Sequence, residues 1–231
     1  MEKIIKNGKL VTDSEIFDAD ILIRDEKIVA VGKEFNESNA EIIDASGKLV
    51  LPGGVDAHVH LDLPMPGTVS SDDHYTGTKA AAFGGTTTVI DFANHDLPSL
   101  IDSFNVWQEK ALPNVAIDYG IHQNFTRFNE NTLKEIPLLP KMGVTSIKMF
   151  TAYNGRMRLQ DGEIFQAMRV AKDEGIISLV HAENGDLIDL LVAEALAAGH
   201  TAPVWQARTR PAWGAVESGF RVAALSFSAG K

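Results

Sequence analysis

The sequence has no cysteine. Disulfides and thiolate metal sites are therefore excluded, and any metal must be held by histidine, carboxylate or a rarer donor. It has no run of about 18 apolar residues, the length a membrane-spanning helix needs. No long basic run is present and the net charge is −10, which argues against nucleic acid and membrane surfaces as partners. The opening "MEKIIKNGKLVT" lacks an apolar segment with a small-residue cleavage site, so no signal peptide is expected and the expected location is cytoplasmic. No internal repeat or low-complexity segment stands out. What remains is a globular composition: 231 residues, 45% apolar and 23% charged, enough for one large domain or two small ones.

The first fifty residues read differently from the rest. "KIIKNGKLVT", "ADILIRDEKIVAVG" and "AEIIDASGKLVLPG" are short alternating apolar runs broken at Asn7-Gly8, Asp25-Glu26 and Ser46-Gly47. That is hairpin patterning, and it predicts a small antiparallel sheet over residues 1–50. "DSEIFDADI" reads as a solvated acidic turn. From residue 51 to 231 the period changes. "GVDAHVH", "TTTVIDF", "VAIDYGIH", "TSIKMF" and "IISLVH" read as buried strands. Each is followed by a helical stretch: "YTGTKAAAFGG", "LIDSFNVWQEKA", "NENTLKEIPLLPKMG" (interrupted by Pro137), "DGEIFQAMRVAKDEG" and "DLIDLLVAEALAAG". "PAWGAVESGFRVAALSFSAGK" predicts a last helix. About five βα units imply a parallel sheet, as a (β/α)8 TIM-type barrel or a doubly wound fold. No G-x-G-x-x-G follows the first strand, which weakens a dinucleotide fold, and the chemistry below favours the barrel.

Side chains alternate along a strand, so His58 and His60 project from one face at its C-terminal end, where barrel active sites lie. Two imidazoles together are costly without a partner, and a metal ion would serve both. His181 ends the fifth strand at the same side of the sheet. Lys148 lies inside the strand "TSIKMF". Two readings stand for it. Its stem packs and its head reaches the strand end, or its amine is neutral and reacts with carbon dioxide. The resulting carbamate is a carboxylate-like anion able to bridge two metal ions. Asp56 and Asp91 read as partners of backbone or of groups around a metal site. Glu183, Asn184 and Gly185 read as a helix cap, and His74 and His200 as surface or helix-flank residues.

"GGVDAHVHLDLPMPGTVSSDDHYTGTKAAAFGGTTTVIDF" resembles the cyclic amidohydrolases of the dihydropyrimidinase and D-hydantoinase group. "SIKMFTAYNG" and "LVHAENGD" resemble two further blocks of that group, in the same order. The resemblance implies an α/β architecture, an N-terminal portion of a metal-dependent barrel over 51–231 preceded by part of a small β-sandwich over 1–50. It implies two Zn2+ per subunit, or another divalent metal. His58 and His60 would hold one ion, His181 the other, and carbamylated Lys148 would bridge them. Tyr153 would donate a hydrogen bond to the substrate carbonyl as it becomes an oxyanion. Otherwise Tyr153 is a half-buried aromatic with its hydroxyl in water. Leu63 and Met65 would line the substrate pocket, or pack as ordinary loop residues. His95 and His122 follow strands but receive no ligand role.

The implied reaction is ring opening of a hydantoin or dihydropyrimidine to an N-carbamoyl amino acid, in a homotetramer. The substrate is a small cyclic amide or ureide. The group's pattern also includes a later metal-binding histidine and a general-base aspartate, and neither is found after His181. An inactive fragment, a non-catalytic dihydropyrimidinase-like assembly protein and an allantoinase remain as alternatives.

Overall fold

The computed structural model describes residues 2–35, 39–65 and 67–230. Pro66 of the "HLDLPMPGT" motif and Lys231 of the last predicted helix lie outside them. The chain divides into two compact units, Met1–Gly54 and Val55–Lys231.

The first unit contains β1 (Glu2–Lys6), β2 (Lys9–Val11), β3 (Ile16–Asp18), β4 (Asp20–Arg24), β5 (Lys27–Gly32), β6 (Glu41–Asp44) and β7 (Leu49–Val50). They form two sheets rather than one, in the orders β5-β4-β1-β6 and β3-β2-β7. Both are mixed: β1 runs parallel to β6, and β2 parallel to β7. Of the three predicted hairpins only Asp25-Glu26 closes one. Both residues have positive φ, and Arg24 pairs with Lys27 across the turn. Asn7-Gly8 instead carries the chain from one sheet to the other. A Cβ at Gly8 would lie 2.6 Å from Val50 Cγ2, so glycine is required by the close approach. The acidic stretch is not one turn either, because Ile16–Asp18 is strand β3, paired with β2. Leu10, Ala19 and Ile21 are buried between the sheets.

The second unit is built on β8 (Gly54–Val59), followed by a small ribbon of β9 (Pro64–Met65) and β10 (Thr68–Val69). Then come α1 (His74–Phe83), β11 (Thr86–Ala93), α2 (Leu100–Ala111), β12 (Asp118–Asn124) and α3 (Glu130–Glu135). A 3-10 turn over Ile136–Met142 carries Pro137 at its start, where no amide donor is needed. Next are β13 (Ser146–Phe150), α4 (Asp161–Asp173), β14 (Ile177–His181), α5 (Gly185–Ala197), α6 (Val204–Arg208) and α7 (Ala212–Ala229). The short α6 was not expected.

The five main strands stand in the order β14-β13-β12-β11-β8, so each strand is laid beside its predecessor without reversal. A doubly wound fold reverses direction at a switch point, whereas a barrel does not. The pairings from β11 to β14 are parallel. One face of the sheet packs its apolar side chains with the helices. Ile147 and Met149 of β13, Phe104 of α2, and Ile164, Met168 and Ala171 of α4 share one core. Truncating Met168 to Ala there is expected to cost about 2–5 kcal/mol. The other face carries the polar residues of the cleft.

β8 was expected to be buried, but Val55 is 64% exposed and its neighbours from Gly54 to His58 are exposed as well. The reason is position: β8 is an edge strand, with β11 on one side only among the described residues. Its residue types suit a covered strand, but exposure depends on what lies beside it.

Candidate active site

A cleft of about 650 Å³ opens at the C-terminal ends of the parallel strands. His58, His60, Lys148, His181, Tyr153, Leu63 and Met65 all line it. All seven residues singled out in the sequence thus meet in one place, contributed by β8, β13, β14 and the loops that follow.

Phe92 of β11 organises the floor. Its ring centroid lies 4.5 Å from that of His58, 4.9 Å from His60 and 4.8 Å from His122. The His58 and His60 rings are 5.3 Å apart, edge to face, as expected of i and i+2 side chains on one face. Burial, and then the neighbouring His58, lower the pKa of His60, so its neutral ring with a free lone pair is favoured. His122 braces the floor: its Nε2 contacts the Ala57 carbonyl oxygen at 3.0 Å and its Nδ1 the Ser146 hydroxyl. Lys148 Nζ stands over the Phe92 and Phe150 rings at 5.7 and 5.6 Å. Burial lowers its pKa, and among the described residues no carboxylate pairs with it.

Asp91 anchors the loop that follows His60. Its Oδ1 accepts the backbone N–H of Phe92 at 2.7 Å and of Leu61 at 3.4 Å, and its Oδ2 lies 3.3 Å from His74 Nε2. Asp91 therefore has the supporting role expected. His74, expected at the surface or at a helix flank, opens α1 and is only 4% exposed, because it lies over this carboxylate. Asp56 accepts the His58 backbone N–H at 3.1 Å.

His181 ends β14, 5.1 Å ring to ring from Tyr153. Its Nε2 contacts Glu183 Oε2 at 2.6 Å. Glu183 is thus a partner of His181 rather than a helix cap. The capping oxygen of α5 comes from Asn184, which accepts from Leu187 N at 3.0 Å. With Nε2 engaged, Nδ1 is the nitrogen of His181 left for a ligand. Thr151 stitches the ends of β13 and β14, its hydroxyl meeting the Glu183 carbonyl at 2.8 Å.

Tyr153 has φ +67°, a left-handed conformation unusual for a bulky residue. Its neighbours hold it there. Asn154 donates to Asp186 at 3.0 Å and Asp189 at 2.8 Å, and Arg158 pairs with Asp186. Gly185 allows α5 to press on this loop, since a Cβ there would lie 3.0 Å from Ala152 Cα.

Among the described residues no three His, Asp or Glu side chains form a ready metal cage. The donor chemistry suits a divalent ion all the same: imidazoles from three positions line the same cleft as an amine whose burial favours the neutral form that can attack carbon dioxide.

Residues 49–207 match the Amidohydrolase family. The chain belongs to the amidohydrolase family.

Within that family it is similar to a D-hydantoinase of Geobacillus stearothermophilus, 47% identical over 91% of this chain and 45% of that protein. A dihydropyrimidinase of Rattus norvegicus is 40% identical over 90% of this chain and 41% of its own length. The crystal structure of a D-hydantoinase superposes over the whole chain and 51% of its own, with a TM-score of 0.95 and 44% identity. That of the Brevibacillus agri dihydropyrimidinase gives a TM-score of 0.95 over 99% of this chain and 50% of its own. The chain therefore spans about half the length of the relatives it matches. Its fold is that of a partial TIM barrel, with a curled parallel sheet and small sheets ahead of it.

Phe92, Asn94, Asn124, Arg127 and Arg156 also line the cleft and were not singled out from the sequence. Inward parity on neighbouring strands could have found Phe92 and Asn124. The two arginines sit on loops and gave no signal.

Proposed function

We propose that this amidohydrolase chain carries the substrate cleft and part of the metal-ligand set of an enzyme that hydrolyses a ring amide. The substrate is a hydantoin or dihydropyrimidine, opened to an N-carbamoyl amino acid. The observation that carries the reading is the convergence of His58, His60, Lys148, His181 and Tyr153 on one cleft. The similarity to D-hydantoinases and dihydropyrimidinases supports the choice of substrate class.

His58, His60 and His181 would hold the metals as neutral imidazoles. The Lys148 amine would add to carbon dioxide, losing a proton, to give a carbamate whose oxygens could serve as metal ligands. The chemistry two zinc ions supply when bound is activation of water near neutral pH and polarisation of an amide carbonyl. The chain's own residues do the rest. Glu183 orients His181 by holding Nε2. The Tyr153 hydroxyl donates to the carbonyl oxygen as negative charge grows on it. The Asn154–Asp186 and Arg158–Asp186 contacts keep that tyrosine in place. Leu63 and Met65 shield the ring from water at the cleft wall.

The test is elemental analysis of the chain purified with zinc and bicarbonate, followed by hydrolysis assays on hydantoin and dihydrouracil. Retained zinc with ring opening of either compound supports the reading. A chain that takes up no zinc sinks it.

A further inference from the structure

His122 is buried beneath the floor of the cleft, and ring opening gives it no part. It is 8% exposed, and neither it nor Ser146, 5% exposed, lines the cleft. Its Nε2 lies 3.0 Å from the Ala57 carbonyl oxygen. A carbonyl only accepts, so Nε2 carries the ring proton and donates the hydrogen bond. Burial lowers the pKa of His122, which keeps the ring neutral and leaves Nδ1 to accept from the Ser146 hydroxyl. Both nitrogens are therefore engaged, and the ring has no lone pair to spare for a metal.

The two contacts join strands that the backbone joins poorly. Among the described residues β11 and β12 pair at six positions and β13 and β14 at five, but β12 and β13 at two, Gln123 with Ile147 and Asn124 with Lys148. The next position in that register sets His122 opposite Ser146, so their side chains make a rung where the backbone ladder has stopped. On its other side His122 reaches past a whole strand. β11 stands between β8 and β12, which would place them about 9–10 Å apart in a flat sheet. Contact with the β8 backbone is made on the inner face of a curled one, where the Phe92 ring of β11 lies 4.8 Å from His122 and 4.5 Å from His58.

We propose that His122 is a positioning residue for the metal ligands: through Ser146 and Ala57 it sets the distance between the strand that carries His58 and His60 and the strand that carries Lys148. Ala57 immediately precedes His58, and Ser146 lies two residues before Lys148 on the same face of β13. Loss of either contact lets the curl of the sheet change, and with it the separation of imidazoles and amine. Hydrogen bonds one step removed from the ligands tune metal affinity in this way. This inference rests on the cleft being a metal site.

Zinc affinity of the full chain, measured by competition with a chromophoric chelator, tests it. His122→Phe keeps the ring and its packing on Phe92 but removes both nitrogens, and the affinity is expected to fall about 10–100-fold. His122→Gln returns a donor at the place of Nε2 and should recover most of that loss. Ser146→Ala cuts the other contact alone and should fall between the parent and His122→Phe. Met168→Ala weakens the core on the opposite face of the sheet, and its zinc affinity should equal the parent's. Circular dichroism shows which variants fold. Parent-level affinity in His122→Phe overturns the proposal, as does a His122→Gln no better than His122→Phe, or an equal loss in Met168→Ala. Should His122→Phe fail to fold, Ser146→Ala decides, and an affinity equal to the parent's overturns the tie. A parent chain that binds no zinc overturns the metal-site reading and the tie with it.

Discussion

Glu183 holds His181 through its Nε2 at 2.6 Å, and the same carboxylate lies 4.0 Å from Arg210. A carboxylate in this position fixes the imidazole tautomer and ring orientation, and raises the basicity of the opposite nitrogen. Glu183→Gln is therefore expected to weaken zinc binding by about 10–100-fold. Competition with a chromophoric chelator measures it. An unchanged zinc affinity would return Glu183 to a merely structural role.

Lys148 is the residue whose replacement should be most diagnostic. Its amine stands over two aromatic rings without a carboxylate partner among the described residues, and burial lowers its pKa. Lys148→Ala removes any carbamate. If a carbamate forms, the expected outcome is loss of bicarbonate-dependent zinc uptake, restored in part by millimolar acetate or propionate, which can supply a carboxylate in its place. Zinc per chain with and without bicarbonate, by elemental analysis, decides it. Uptake in the variant equal to the parent's, with no small carboxylate added, refutes the carbamate.

His58, His60 and Lys148 were legible from local pattern: imidazoles at i and i+2 fall on one face of a strand, and a lysine inside an apolar strand is out of place. The βα rhythm was legible for the same local reason, as period-two runs alternate with 3.6-residue runs. What escaped depends on contacts distant in sequence. Asn7-Gly8 has hairpin chemistry, yet β1 pairs with β4 and β6 instead of β2. His74 looks like a surface residue at a helix start until Asp91 is placed beneath it. Glu183 beside Asn184 looks like a cap, and only the fold shows which of the two caps the helix. The exposure of β8 follows from its place at a sheet edge, which no local pattern records. His95 and Arg127 lie on separate loops, and their meeting at the cleft is a property of the whole sheet.

Asp91 and His74 are both nearly fully buried, with the carboxylate also accepting two backbone N–H groups. Asp91→Ala leaves those two backbone donors without their acceptor. The expected loss is about 3 kcal/mol of folding stability, the scale for breaking a buried polar pair. Urea unfolding followed by circular dichroism measures it. A loss within about 0.5 kcal/mol would mean that water replaces the carboxylate, as at an ordinary surface position.

The burial of His95 has a consequence for acid stability. Its folded pKa of about 4 lies below the value near 6.5 of an exposed imidazole. Between those values the unfolded chain binds more protons, so stability falls as pH drops from about 6.5 to 4. His95→Gln removes this contribution. The difference in stability between parent and variant should shift across that window by on the order of 2 kcal/mol, because water at the cleft mouth screens part of the burial cost. Parallel denaturation curves at pH 7 and pH 4.5 test it, and an identical pH slope in both proteins contradicts it.

Tyr153 combines a left-handed backbone with a place on the cleft wall beside His181. Such a conformation costs on the order of 1–3 kcal/mol and persists only where its surroundings enforce it. Here Asn154, Arg158 and Asp186 do so. Tyr153→Phe keeps the ring, the packing and the backbone while deleting one donor. If the hydroxyl meets the growing oxyanion, kcat for ring opening should fall by about 10²–10³ with little change in KM, since the interaction forms only in the transition state. Initial rates for the zinc-loaded chain, followed by loss of ring absorbance, separate the two parameters. A rise in KM at constant kcat would place the hydroxyl on the ground-state substrate instead, and the strained backbone would then serve binding rather than catalysis.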